Sequence, residues 1–364
     1  MQMTKTLVGR ATASIAGLGA AALVLAGCAA PDARTGEGGP SIVATTTQVG
    51  DFARQLLGEQ GELTQLVKPD QSAHDFDPSA AQLLAIGEAD ALVVNGAGLE
   101  SWLGDVIDAS GFDGRLIDAS TGIELEATGD DDHDGGTENG GQGGDADDHA
   151  TVLPEKPEPS TAPAPGDDDH DHGAGNPHIW TSPENAEQMV QNIAAGLEEV
   201  EGVDAGAIRS AADAYLARLD DLDEWIDAGI GQVPEPDRLL VTNHDAFTYF
   251  VDEYDITFVG SVIPSFDDNA EPSAAEIDAL VERIRQTGAK AVFSEASLSP
   301  EAAETIAREA GVAVFSGPDA LYGDSLGAAG SPGETYLGSQ IHNVRLILKS
   351  WGVEAPPLPA SLEG

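Results

Sequence analysis

Between Ser41 and Ser350 the chain alternates short aliphatic runs with longer segments of mixed apolar and polar residues. This alternation constrains the fold more than any other feature. Ser41–Thr46, Leu63–Val67, Ala91–Val94 and Arg115–Ile117 have the composition of strands, and Phe52–Leu57, Ser79–Gly87 and Leu99–Ile107 lie between them with helical character. A second series has strands at Leu239–Val241, Ile256–Val262, Ala291–Phe293 and Val312–Phe315, with helices at Ala246–Val251, Ala274–Gln286, Pro300–Ala310 and Tyr336–Ser350. Strands separated in this way pair in parallel, because each parallel pair needs a long crossover that a helix supplies. Between the two series, apolar residues spaced three and four apart from Met189 to Ile226 predict a helical stretch from Pro183 to about Ile230, with Gly202–Gly206 as the one place where it could be interrupted. The expected fold is α/β, with two parallel-sheet lobes joined by a long helix.

The alternation is interrupted from Asp130 to Asn176. These 47 residues carry 14 acids, one lysine, many Gly and Pro, and few large apolar side chains. Such a tract cannot bury enough surface to offset its ordering entropy, so it is expected to be a disordered insertion. The whole chain has 64 acidic against 16 basic residues, a formal net charge of −48. That balance excludes a nucleic-acid binder or a partner for anionic lipid headgroups, both of which need a basic face. With 41% hydrophobic residues, disorder of the whole chain is excluded as well.

The first 27 residues begin with Lys5 and Arg10 and continue as an Ala/Gly/Leu-rich run, the pattern of an export signal. The run ends Leu25-Ala26-Gly27-Cys28, which resembles a bacterial lipobox. The resemblance implies lipid attachment at Cys28 and anchoring of the mature protein to the bacterial cell membrane. Cys28 is the only cysteine, so no intrachain disulfide forms. The expected organisation is a signal peptide (1–27), a tether (28–40), an N-terminal lobe (41–182) carrying the insertion (130–176), a linking helix (183–232), a C-terminal lobe (233–354) and a tail (355–364).

Four of the eight histidines, His133, His149, His170 and His172, lie in the acidic insertion. His342 falls inside the last helix and needs no ligand role. The other three share a setting in which an apolar strand or turn gives way to the next element. His74 follows the strand ending at Val67, His178 precedes the long helix, and His244 follows the strand Leu239–Val241. Ligands of open parallel sheets bind at the carboxyl ends of strands, and imidazole is the commonest side-chain ligand of transition metals. A single histidine so placed is more often a capping or core residue; three in equivalent positions point to a shared site.

Several segments, in this order and spacing, resemble the solute-binding lipoproteins of zinc and manganese ABC importers. They are His74 to Pro78, Val94-Asn-Gly-Ala-Gly-Leu-Glu-Ser-Trp-Leu103, Asn176-Pro-His-Ile-Trp180, His244-Asp-Ala-Phe-Thr-Tyr-Phe250, Glu271-Pro-Ser-Ala-Ala-Glu-Ile277, Val292-Phe-Ser-Glu295, Asp324-Ser-Leu-Gly327 and Thr335-Tyr-Leu337. The resemblance covers about Ser41 to Trp351 apart from the insertion. It implies two α/β lobes joined by one long rigid helix, with a metal in the interlobe cleft held by His74, His178, His244 and Asp324. On turn chemistry alone Asp324 reads as a turn cap. Glu295, at the same strand-end edge, is a candidate to orient a ligand histidine from behind. Phe76 and Asp77 replace the family's usual aromatic–acid pair of Tyr and Glu, and the family's His-rich loop is here mostly Asp.

Three imidazoles and one carboxylate suit tetrahedral Zn2+, whereas Mn2+ favours a more oxygen-rich shell. The implied function is an extracytoplasmic zinc receptor, expected to be a monomer, that delivers its ion to an ABC importer permease and is not an enzyme. Alternatives are a manganese receptor of the same family and, more distantly, a zinc-dependent hydrolase. Cell adhesion is a further activity attached to the family. The Asp-His clusters of the insertion read either as weak accessory metal collectors or as a tolerated solvated loop.

Overall fold

The computed structural model describes residues 39–126 and 175–363. In the first lobe β1 (Ser41–Ala44), α1 (Thr47–Leu57), β2 (Glu62–Gln65), α2 (Ala80–Gly87), β3 (Ala91–Val94), α3 (Leu103–Ser110) and β4 (Arg115–Asp118) alternate along the chain. The strands run parallel in the order β2-β1-β3-β4, with Ile42 facing Leu63 on one side and Ala91 on the other. Successive side chains of a strand point to opposite faces, and both faces are covered here. Ile42, Ala44, Ala91 and Val93 enter the main core, while Val43, Leu92 and Val94 pack with Leu66, Ile86 and Val106 on the other side.

The expected linking helix over 183–232 is two helices, α4 (Pro183–Leu197) and α5 (Ala205–Ile230). Gly202 has a left-handed φ of 91°, and the Asp204 side chain accepts hydrogen bonds from the Gly206 and Ala207 amides, starting a new helix. The chain therefore reverses after α4. Arg209 of α5 pairs with Glu198 at 3.0 Å, and the two helices lie side by side. Of the two, α5 packs against the last helix.

The second lobe contains β5 (Leu239–His244), α6 (Thr248–Glu253), β6 (Thr257–Ile263), α7 (Ala274–Thr287), β7 (Ala291–Phe293), α8 (Glu301–Ala310), β8 (Ala313–Phe315) and α9 (Tyr336–Trp351). β5 pairs with β6 and β7 with β8, both in parallel, and β5 lies beside β7. Leu240 and Phe293 face the main core, while Val241 and Val292 join Val262, Leu280, Ile284 and Ile306 in a second one. Ser79 and Ser273 each form a reciprocal capping box, with Gln82 and Glu276, at the starts of α2 and α7.

The helix expected from Leu99 begins instead at Leu103. Gly96, Ala97 and Gly98 all have left-handed φ values, and the Glu100 carboxylate accepts from the Asn95 and Gly96 amides, so these residues form a compact turn. That turn reaches the cleft, because the Asn95 side-chain amide donates to the carbonyl of Pro177, the residue before His178. No helix among the described residues is long and apolar enough to cross a membrane.

Candidate metal centre

Four side chains converge where the two lobes meet. His74 stands in the loop after β2, His178 just before the turn that opens α4, His244 at the last position of β5, and Asp324 in the loop between β8 and α9. Each lobe thus contributes two, from the carboxyl ends of its strands or the loops beside them. Among the described residues these are the His, Cys, Asp and Glu side chains whose donor atoms gather within 4.8 Å.

The separations are close. His178 Nε2 lies 3.1 Å from His74 Nε2 and 3.3 Å from His244 Nε2. Asp324 Oδ2 lies 3.4 Å from His74 Nε2 and 3.2 Å from His244 Nε2, while Oδ1 lies 3.1 Å from His178 Nε2. Donors held about 2.0–2.1 Å from one ion at tetrahedral angles are roughly 3.3–3.4 Å apart, so this spacing fits a single small cation.

Two of the rings are aimed from behind. His178 Nδ1 donates to Asn176 Oδ1 at 2.7 Å, and the Asn176 amide in turn donates to Thr248 Oγ1 at 2.9 Å. His244 Nδ1 donates to Glu295 Oε1 at 2.8 Å, an oxygen that also accepts from the His244 amide at 3.0 Å. With Nδ1 protonated, each neutral ring turns the lone pair of Nε2 toward the centre. Two such lone pairs 3.3 Å apart repel unless a proton or a cation lies between them.

Asp324 is held by the chain on either side of it. The carbonyl of Gly323 accepts from Gln48 Nε2 and Trp180 Nε1, both at 3.1 Å, and the hydroxyl of Ser325 accepts from the Asp70 amide. The Leu326 amide donates to Thr47 Oγ1. The second-lobe loop is therefore pinned to α1 and to the chain on both sides of the first-lobe histidines. The Asp324 carboxylate itself is fully buried and receives no amide or hydroxyl hydrogen bond.

Burial and charge oppose each other here. Burial pushes His178 down to about 4. Burial also opposes charge on His244 and His74, but in His244 the Asp324 and Glu295 carboxylates, and in His74 chiefly Asp324, outweigh it and hold both above the ordinary imidazole value. Burial alone would raise Asp324, yet the His244 and His178 rings keep it well below the usual carboxylate range. Burial raises Glu295. An anionic carboxylate facing imidazoles that carry exchangeable protons is chemically a cation site, because a metal ion replaces the protons it displaces.

The structure thus brings together His74, His178, His244 and Asp324 and places Glu295 against His244. His342 lies apart on α9, its Nε2 donating to the Ala320 carbonyl at 3.0 Å. Cys28, His133, His149, His170 and His172 lie outside the described residues. Asn176 escaped sequence reasoning although its motif was recognised. Its partner Thr248 is 72 positions away, and the one local signal was an amide side chain two residues before a histidine.

Residues 42–350 match the family described as zinc-uptake complex component A, periplasmic. The chain is 28% identical to the manganese-binding lipoprotein MntA of Halalkalibacterium halodurans, over 89% of this chain and 93% of that protein. It is also 28% identical to the zinc-binding protein AdcA of Streptococcus pyogenes, over 88% of this chain but only 58% of that longer protein. Among solved structures, the periplasmic zinc-binding protein TroA of Treponema pallidum superposes with a TM-score of 0.69 at 21% identity, covering 86% of this chain and 99% of TroA. A cadmium-bound periplasmic metal-binding protein of Candidatus Liberibacter asiaticus gives 0.67 at 19% identity, covering 85% and 99%. These neighbours share the two-lobed α/β fold. By the match over 42–350, the chain belongs to the zinc-uptake complex component A family, a family of periplasmic and lipoprotein metal receptors.

Proposed function

We propose that the protein is a lipid-anchored extracytoplasmic receptor that captures Zn2+ between its lobes through His74, His178, His244 and Asp324 and hands it to the permease of an ABC importer. The observation that carries this reading is the convergence of buried donors, three nitrogens and a carboxylate, with His178 and Asp324 each 3.1–3.4 Å from the other ligands. Glu295 and Asn176 hold the ring orientations that present those donors. Four protein donors around one ion leave no open position for activating a substrate, so the chemistry is capture and release in place of hydrolysis.

A manganese reading has its own support. Asp324 directs Oδ1 toward His178 and Oδ2 toward His74 and His244, so it is able to bind an ion through both oxygens and raise the coordination number toward what Mn2+ prefers. A relative named for each metal is consistent with either cargo.

The test is calorimetric titration of zinc into a chain lacking residues 130–175, with and without His244→Ala. Removing one of four donors is expected to weaken binding by at least about a hundredfold, comparable to the largest losses seen when ligand support is removed. Unchanged affinity and stoichiometry would sink the four-ligand site. Competition between Zn2+ and Mn2+ on the same protein decides the cargo.

A further inference from the structure

Three of the four side chains in the centre have no exposed surface, and only His74 retains any, at 10%. A cation arriving from water therefore reaches the donors past His74. Close to that edge stands Asp268, in the loop between β6 and α7. It is 8% exposed, and the side chain beside its carboxylate is the Ser72 hydroxyl. Ser72, whose hydroxyl accepts from the His74 amide, is its neighbour, and Asp268 is close enough to His74, His244 and Asp324 for their charges to act on it. Asp268 is not among the side chains whose donors gather within 4.8 Å, so it does not complete the coordination shell. It also lines a cavity of about 550 Å3 together with Asn243, Glu271, Glu301, Ile263 and Ile306. Ser72 thus stands between the His74 amide and Asp268, and a single hydroxyl leaves most of this carboxylate's acceptor capacity without a donor, which is unfavourable for a buried group.

We propose that Asp268 is a transfer ligand for the cation. On uptake, one of its oxygens replaces a water on the incoming ion at the cavity, and the His74 nitrogen then replaces that oxygen as the ion moves into the centre. Release runs through the same exchanges in reverse. Only metal–ligand bonds are made and broken, and the displaced waters leave through the cavity. Because Asp268 is not a ligand in the final state, it speeds arrival and departure alike and leaves the equilibrium nearly unchanged. This inference rests on the metal-receptor reading above.

The full chain is mixed with Zn2+ in a stopped-flow instrument for the association rate, and the loaded chain with excess chelator for the dissociation rate; Kd is measured separately by competition. In Asp268→Asn both rates are expected to fall by about tenfold while Kd moves by less than about threefold. Asp268→Glu, which keeps a carboxylate, is expected to restore the rates, and Asp268→Ser gives a second reading if the asparagine variant is poorly folded. An unchanged association rate in both the Asn and Ser variants would overturn the inference. So would a large loss of affinity carried by faster dissociation, which is the signature of a true ligand. Failure of the wild-type chain to bind zinc at all would instead overturn the receptor reading.

Discussion

His178 and His244 each commit one ring nitrogen to a buried acceptor, Asn176 or Glu295, and so present the other to the cleft. That division of labour sets the pH behaviour of the site. His74 and His244 are held above the ordinary value of 6.5, whereas His178 is pushed down to about 4. Protons are therefore held on His74 and His244 more firmly than on a free imidazole and must leave before those nitrogens ligate, whereas His178 gives its proton up readily. Zinc affinity is predicted to rise with pH through and above 6.5, and to fall as protons compete on acidification. Titrations in buffers of different ionisation enthalpy measure both the affinity and the released protons; an affinity flat between about pH 6 and 8 would contradict this. The three histidines were legible in the sequence because each sits where a strand or turn ends, the position at which parallel sheets bind ligands. Asp324 was not legible from local chemistry, since a Gly-Asp-Ser turn has many uses; only the family resemblance pointed to it.

The elements set the precision of the centre. Gly323 is the clearest case: a Cβ there would meet the Glu295 carboxylate, while its carbonyl is held by Gln48 and Trp180. Gly323→Ala is predicted to displace Glu295, to lower stability by about 1–3 kcal/mol as overpacking does, and to weaken zinc binding with it. Thermal unfolding and zinc titration of the variant check both effects; a variant matching wild type in both would show that Glu295 has room to move. Strand positions were legible from their aliphatic runs. The division of the middle segment into α4 and α5 was only half legible, because periodicity continues across it and the reversal depends on Asp204 capping a new helix. The start of α3 was missed because Glu100, at the head of a helix-like sequence, spends its carboxylate on the preceding turn.

At the scale of the molecule, two α/β lobes meet at the ends of their strands, and α5 runs past both. Of the 64 acidic side chains only 14 lie in the tract from Asp130 to Asn176, so most of the −48 charge belongs to the remainder and raises the local concentration of cations. The four ligands found among the described residues lie outside that tract, and its histidines lie outside the described residues. Deleting residues 130–175 is predicted to leave one tight zinc site with unchanged affinity by calorimetry; losing that site would make the tract part of the centre. The central claim is that three imidazoles and one carboxylate enclose a single ion between the lobes. Zinc X-ray absorption on the protein loaded with one equivalent measures this most directly. The prediction is three imidazole nitrogens at about 2.0–2.1 Å with one carboxylate completing the shell. An oxygen-only shell, or one without imidazole scattering, would contradict it.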